Sequence, residues 1–277
     1  MQDNVTNPEE VASLNASYGS EGKRTVRDPL AYTTEARQIS ARNTAQRIDN
    51  IVGLQGQRVL EIGCGYGDLS SEIARNYDAE VVGIDVRDLP QWKAFSHPNL
   101  SFQRVDLTQN ANVFPDNNFT RIISRAVWEH IRHPYTALCE SQRMLRPDGK
   151  KYLYANLYRS SVASHLYKQI YFPWPHLVYS PETLAAMLGK EELDWAFWVN
   201  KLTYAQYLQY FRQLGFYITY EDLTVRKIDE GFYNEHEKKL GLYPRYDLAL
   251  DFFEVVLEFE PERPKEEIPD PVYRLKR

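Results

Sequence analysis

The chain has 277 residues, 43% of them hydrophobic, and a formal net charge of −5. That is enough apolar mass for a full core, and with no basic excess to neutralise phosphates, a nucleic-acid partner is not expected. Two cysteines, Cys64 and Cys139, are too few for a disulfide framework. The opening Met1-Gln2-Asp3-Asn4 lacks a signal pattern and no run of about eighteen apolar residues exists, so no membrane span and a reducing cytoplasm are the expectations.

Residues 1–33 are polar and read as a flexible or lid-like N-terminal arm. A helix is expected over Thr34–Val52, with Ile39, Ile48, Ile51 and Val52 on its apolar side and Gly53 as its stop. Then come a strand at Arg58–Ile62, a helix at Asp68–Asn76, and strands at Glu80–Asp85, Leu100–Leu107 and Arg121–Arg125. Pro134 opens a helix that runs to Leu145, Pro147-Asp148-Gly149 is a turn, and Lys151–Leu157 is a fifth strand. Strands alternating with helices at this spacing make a doubly wound, mostly parallel α/β sheet. The alternation breaks over 158–201, an aromatic insert containing Tyr171-Phe172-Pro173-Trp174-Pro175-His176 and Trp195-Ala196-Phe197-Trp198. It resumes with a helix at Thr203–Leu214 and strands at Phe216–Val225 and Phe252–Phe259, before a Pro- and Glu-rich tail at 261–277.

The richest stretch is Val59-Leu60-Glu61-Ile62-Gly63-Cys64-Gly65-Tyr66-Gly67-Asp68, a buried strand running into a glycine turn. Val81-Val82-Gly83-Ile84-Asp85 follows, a second strand that ends in an acid. Together they form the front half of a nucleotide-binding βαβ unit, in which glycines admit a ligand close to the backbone and the acid can accept ribose hydroxyls. A dinucleotide fingerprint needs a third glycine where this chain has Asp68, and an anion there opposes a pyrophosphate. S-adenosylmethionine carries no phosphate and two cationic groups, and suits a turn flanked by Glu61 and Asp68 better.

The pattern Glu61-Ile62-Gly63-Cys64-Gly65-Tyr66-Gly67 resembles the first motif of the Rossmann-like S-adenosylmethionine-dependent methyltransferases. Val105-Asp106-Leu107 resembles the family's third-strand motif, and Phe114-Pro115-Asp116-Asn117-Asn118-Phe119 a later segment, with Thr120 where an Asp is usual. Trp128-Glu129-His130-Ile131-Arg132-His133-Pro134 is similar to a motif of the small-molecule subgroup. Met144-Leu145-Arg146-Pro147-Asp148-Gly149-Lys150 is similar to its turn motif, with Asp148 in place of the first glycine. The resemblance covers roughly residues 58–157 and implies a seven-stranded sheet with an antiparallel last strand.

It also implies site roles. Gly63, Gly65 and Gly67, with Cys64 as a small filler between them, let the methionine part of the cofactor lie on the backbone. Glu61 orders the loop or reaches the ammonium group through water, while Asp85, followed by Val86, holds the ribose. Asp106 and Leu107 flank the adenine, and Ser124, Arg125 and Ala126 lie beneath the sulfonium.

His130 follows the fourth strand by a few residues and is the candidate base, since a neutral imidazole can take a proton from an acceptor hydroxyl. Its alternative role is packing the next helix. Glu129 is the second candidate base, or else a helix-start acid. His133 reads as a solvated turn residue, and no cysteine–histidine spacing fits a metal. The insert is either extra core or a lid on the acceptor pocket, with Trp174 and His176 as candidate substrate contacts. The function expected is methyl transfer from S-adenosylmethionine to oxygen of a small-molecule or glycan-type acceptor. A nicotinamide-dependent oxidoreductase and a silent cofactor-binding protein remain the alternatives. Oligomeric state is not legible.

Overall fold

The computed structural model describes residues 7–20, 33–110, 112–163, 166, 169–190 and 200–259. Helix α1 (Pro8–Ser20) precedes α2 (Thr34–Val52), β1 (Arg58–Ile62), α3 (Asp68–Asn76), β2 (Glu80–Asp85), β3 (Leu100–Arg104) and β4 (Phe119–Arg125). Then follow α4 (Pro134–Met144), β5 (Leu145–Asn156), the short α5 (Pro175–Val178) and α6 (Pro181–Met187), α7 (Tyr204–Gln213) and β6 (Phe216–Val225). Three more short helices, α8 (Glu230–Glu235), α9 (Glu237–Leu240) and α10 (Arg245–Ala249), lead into β7 (Leu250–Phe259).

The seven strands lie in the order β3-β2-β1-β4-β5-β7-β6, with β7 antiparallel to both neighbours and β1 to β5 parallel. The central strands are buried on both faces, as a parallel sheet covered by helices must be. Alternate residues serve the two layers. Val59, Val81, Ile123 and Tyr152 pack under α2 and α3, whereas Leu60, Val82, Ile122 and Leu153 pack under α4 and α7. Helix α2 meets the sheet through Ala41, Ala45, Ile48 and Val52, at helical spacing. Thr33 caps it through a bond from the Ala36 N–H, and Gly53, at φ 66°, ends it.

Three expectations are corrected. Ile39 is 51% exposed rather than on the apolar side of α2. The third strand stops at Arg104, because the backbone turns there to seat Val105 and Leu107 in the core. The N-terminal arm contains α1, whose Val11 is buried in a second core. That core joins α1 to the described part of the aromatic insert (Phe172, Trp174, Val178, Leu184) and to the β6–β7 connection (Phe232, Leu240, Leu248). Trp195–Trp198 and the tail at 261–277 lie outside the described residues.

Candidate active site

Sheet order reverses between β1 and β4, so the crevice at the carboxyl ends of these strands is where an open α/β sheet takes its ligand. A cavity of about 490 Å³ opens there, within the roughly 300–1,000 Å³ range of small-molecule sites. Its walls bring together Gly63 and Gly65 after β1, Asp85, Val86 and Arg87 after β2, Asp106 and Leu107 after β3, and Arg125, Ala126 and His130 after β4.

The three turn glycines are glycine for different reasons. All have positive φ, a region L side chains avoid. At Gly63 an added Cβ would stand 2.3 Å from a Val127 methyl, and at Gly67 it would stand 2.6 Å from the Phe102 ring. At Gly65 nothing lies within 4 Å, so the space beside it opens to the cavity rather than to protein. The loop is tied down by Gly65 N–H to Asp85 Oδ2 (3.1 Å) and by Trp92 Nε1–H to the Gly65 carbonyl (2.8 Å). Trp92, stacked on Phe102 at 5.3 Å, is a support that no sequence pattern marked.

Asp85 is buried and also accepts from the Arg87 backbone N–H (3.0 Å) and Nε (3.2 Å), which fixes its carboxylate at the cavity wall. Asp106 accepts from the Thr108 N–H (2.9 Å) and hydroxyl (2.7 Å), a local turn that orients its carboxylate. Ala126 sits at φ 55°, with its N–H bonded to the Tyr154 carbonyl at 2.7 Å. A non-glycine residue held in this region at a strand end often marks a functional site.

Other expected site residues stand behind the wall. Glu61 is buried and accepts from the Ser70 hydroxyl of α3, so it orders the loop from within; burial raises its carboxyl to about 7. Asp68 is paired with Arg37 of α2 at 2.9 Å, so its charge is met by protein and not held for a cationic ligand. Burial pushes the Cys64 thiol up, which keeps it protonated and unreactive. Ser124 is fully buried and donates to the Ile62 carbonyl at 3.0 Å, locking β4 to β1.

His130 is exposed at the cavity rim, at the end of a 3-10 turn whose N–H bonds the Val127 carbonyl at 2.8 Å. Glu129 points the other way. It is 1% exposed and burial raises its carboxyl to about 7, only partly offset by backbone N–H groups including that of Asn156. Its Oε2 has no hydrogen-bond partner among the described residues. His133 is exposed just ahead of α4. Trp174 is a core residue: 1% exposed, at φ 52°, with Nε1–H donated to the Leu248 carbonyl at 3.2 Å. It borders a different cavity. His176 is buried, with Nε2 donating to the Tyr158 carbonyl at 2.6 Å. Neither lines the cavity at the strand ends.

Among the described residues, no group of three His, Cys, Asp or Glu is placed to hold a metal, and no helix is long and apolar enough to cross a membrane.

Residues 60–153 match the family described as a methyltransferase domain. Over 112 residues the chain is 32% identical to phosphoethanolamine N-methyltransferase 3 of Arabidopsis thaliana, covering 39% of this chain and 22% of that protein. Over 111 residues it is 29% identical to the ubiquinone biosynthesis O-methyltransferase of Dechloromonas aromatica, covering 38% of this chain and 47% of that protein. The matched stretch thus spans less than half the length of either relative. The fold is that of a solved S-adenosylmethionine-dependent methyltransferase from Mesorhizobium loti, with TM-score 0.52 and 16% identity over 80% of this chain and 97% of that one. Residues 60–153 are thus similar to a methyltransferase domain, and the chain shares the fold of that solved methyltransferase.

Proposed function

We propose that this chain transfers a methyl group from S-adenosylmethionine to a small-molecule acceptor, most readily at oxygen. The observation that carries the reading is one cavity, at the point where strand order reverses, ringed by an open glycine (Gly65), a ribose-type acid (Asp85), a second acid (Asp106) and a histidine (His130). S-adenosylmethionine, when bound, supplies an electrophilic methyl group.

The protein's own contribution is placement. Gly65 leaves room at the backbone, Asp85 keeps an acceptor site on Oδ2 for a ribose hydroxyl, and Asp106 and Leu107 border the space for the base. Apolar Ile62, Val127 and Ile131 keep the floor dry. Holding two reactants in line is worth on the order of 7–11 kcal/mol in well-oriented systems. His130 at the rim accepts the acceptor's hydroxyl proton as the bond to carbon forms. Oxygen is favoured because a hydroxyl needs such a base; the aligned relatives include both an O- and an N-methyltransferase by name. A glycan-type acceptor remains one member of the class.

The test is an acceptor screen that follows S-adenosylhomocysteine release. For an acceptor found, His130→Ala should lower kcat by about a hundredfold with cofactor affinity retained. Near-normal turnover of that variant would remove His130 as the base.

A further inference from the structure

A second cavity, of about 670 Å³, lies beside the first on the α2 face of the sheet. Its walls are the N-terminal half of α2 and the carboxyl ends of β4, β5 and β6, with the amino-terminal part of β7 between the latter two. One side chain, Arg125, borders both cavities.

The charges around this second space are unevenly satisfied. Glu254 accepts from Arg47 with both oxygens and from the Tyr152 hydroxyl. Asp222 accepts from the same Arg47, at 3.1 Å. Both carboxylates of the cavity are thereby committed to Arg47. Arg125 makes no hydrogen bond or ion pair among the described residues, and its guanidinium carbon stands over the Tyr154 ring, 4.9 Å from the centroid. Tyr154 is itself held by stacking on Phe252 at 4.9 Å. A guanidinium carried over a ring, with no hydrogen-bond acceptor of its own, has its N–H donors left for a planar, bidentate partner. Opposite it, α2 presents Ser40, Asn43 and Thr44, neutral hydrogen-bonding groups that do not compete as anions.

We infer that the second cavity is the acceptor site and that it selects an acceptor bearing a carboxylate or phosphate, which Arg125 grips at the seam between the two cavities. This rests on the methyl-transfer reading. It moves Arg125 from the cofactor to the acceptor, and leaves His130 to face the acceptor's reacting end.

The test is calorimetric and needs no turnover. The full chain, loaded with S-adenosylhomocysteine, is titrated with 4-hydroxybenzoate, with 4-hydroxyphenyl phosphate and with neutral 4-hydroxybenzamide. At least one anion should bind about ten- to a hundredfold tighter than the amide, the scale of a charge-assisted pair. Arg125→Gln should abolish that preference, and Arg125→Lys should restore part of it, while S-adenosylhomocysteine affinity stays within about threefold throughout. Which anion is preferred identifies carboxylate or phosphate. Equal binding of anions and amide, no binding of either anion, or an anion preference that survives Arg125→Gln overturns the inference. Failure of S-adenosylhomocysteine to bind the unaltered chain would instead sink the methyl-transfer reading.

Discussion

Gly63 and Gly65 stand two positions apart, both at positive φ, yet they answer to different neighbours. Gly63 is required by protein, since its missing side chain is the space Val127 fills. Gly63→Ala should therefore lower stability by about 1–3 kcal/mol, the cost of forcing an extra methyl into packed surroundings. At Gly65 an added Cβ meets no protein atom within 4 Å, so Gly65→Ala, which carries the positive-φ strain without the clash, should spare the melting temperature more and cost cofactor affinity more. Thermal melts and titration calorimetry on the two variants check the crossover; parallel losses in both would mean that Gly65 is structural.

Glu129 gives a pH signature at the same scale. Its folded-state carboxyl is raised to about 7 by burial, so the native state binds the proton more tightly than the unfolded chain. The sign follows: its stabilising contribution is complete below about 4.5 and is lost as pH rises through 7. Glu129→Gln, neutral at every pH, should flatten that part of the stability profile and gain on the parent at pH 8. Denaturant melts at pH 5 and pH 8 measure it. An unchanged profile would mean the carboxyl ionises freely in the fold.

At the scale of elements, β5 buries Lys151 completely, with its Nζ donating to the Ser141 hydroxyl of α4 at 2.7 Å. Burial lowers its ammonium to about 7, so this group favours folding most above 10.5 and loses that contribution as pH falls toward 7. Lys151→Met should remove the rise in stability between pH 7 and 10. The insert makes a different prediction. Trp174 anchors the core shared by α1, the insert and the β6–β7 connection, so Trp174→Ala should cost about 3–5 kcal/mol of stability. A stable variant altered only in acceptor KM would restore the lid.

These elements also show what the chain reveals on its own. The helix Thr34–Val52 and strands Arg58–Ile62 and Glu80–Asp85 could be read to the residue, because long periodic runs end in caps, glycines or an acid. Short helices such as Pro175–Val178, Glu237–Leu240 and Arg245–Ala249 could not, since one turn has no period to detect and its stability comes from tertiary packing. Of the site residues carried by motif, Gly65, Asp85, Asp106 and His130 reach the cavity wall, whereas Glu61, Cys64 and Ser124 stand behind it. Trp92, which braces the glycine loop, and Arg37, which cancels Asp68, arrive from sequence-distant segments that no local pattern connects to the turn.

At the scale of the molecule, the sheet places two cavities along one edge: one between the strand ends around the order reversal, one under α2. On the proposed reading, the first holds the methyl donor and the second the acceptor, and the two join at Arg125. The central claim is that the first cavity holds S-adenosylmethionine through Asp85. The most direct measurement is calorimetric titration of the unaltered chain and of Asp85→Ala with S-adenosylhomocysteine, with NAD+ in parallel. One S-adenosylhomocysteine site, no NAD+ binding, and a loss of about 1.5–3 kcal/mol in the variant are the results the account predicts. Binding of NAD+ in place of S-adenosylhomocysteine, or equal S-adenosylhomocysteine affinity with and without the Asp85 carboxylate, would contradict it.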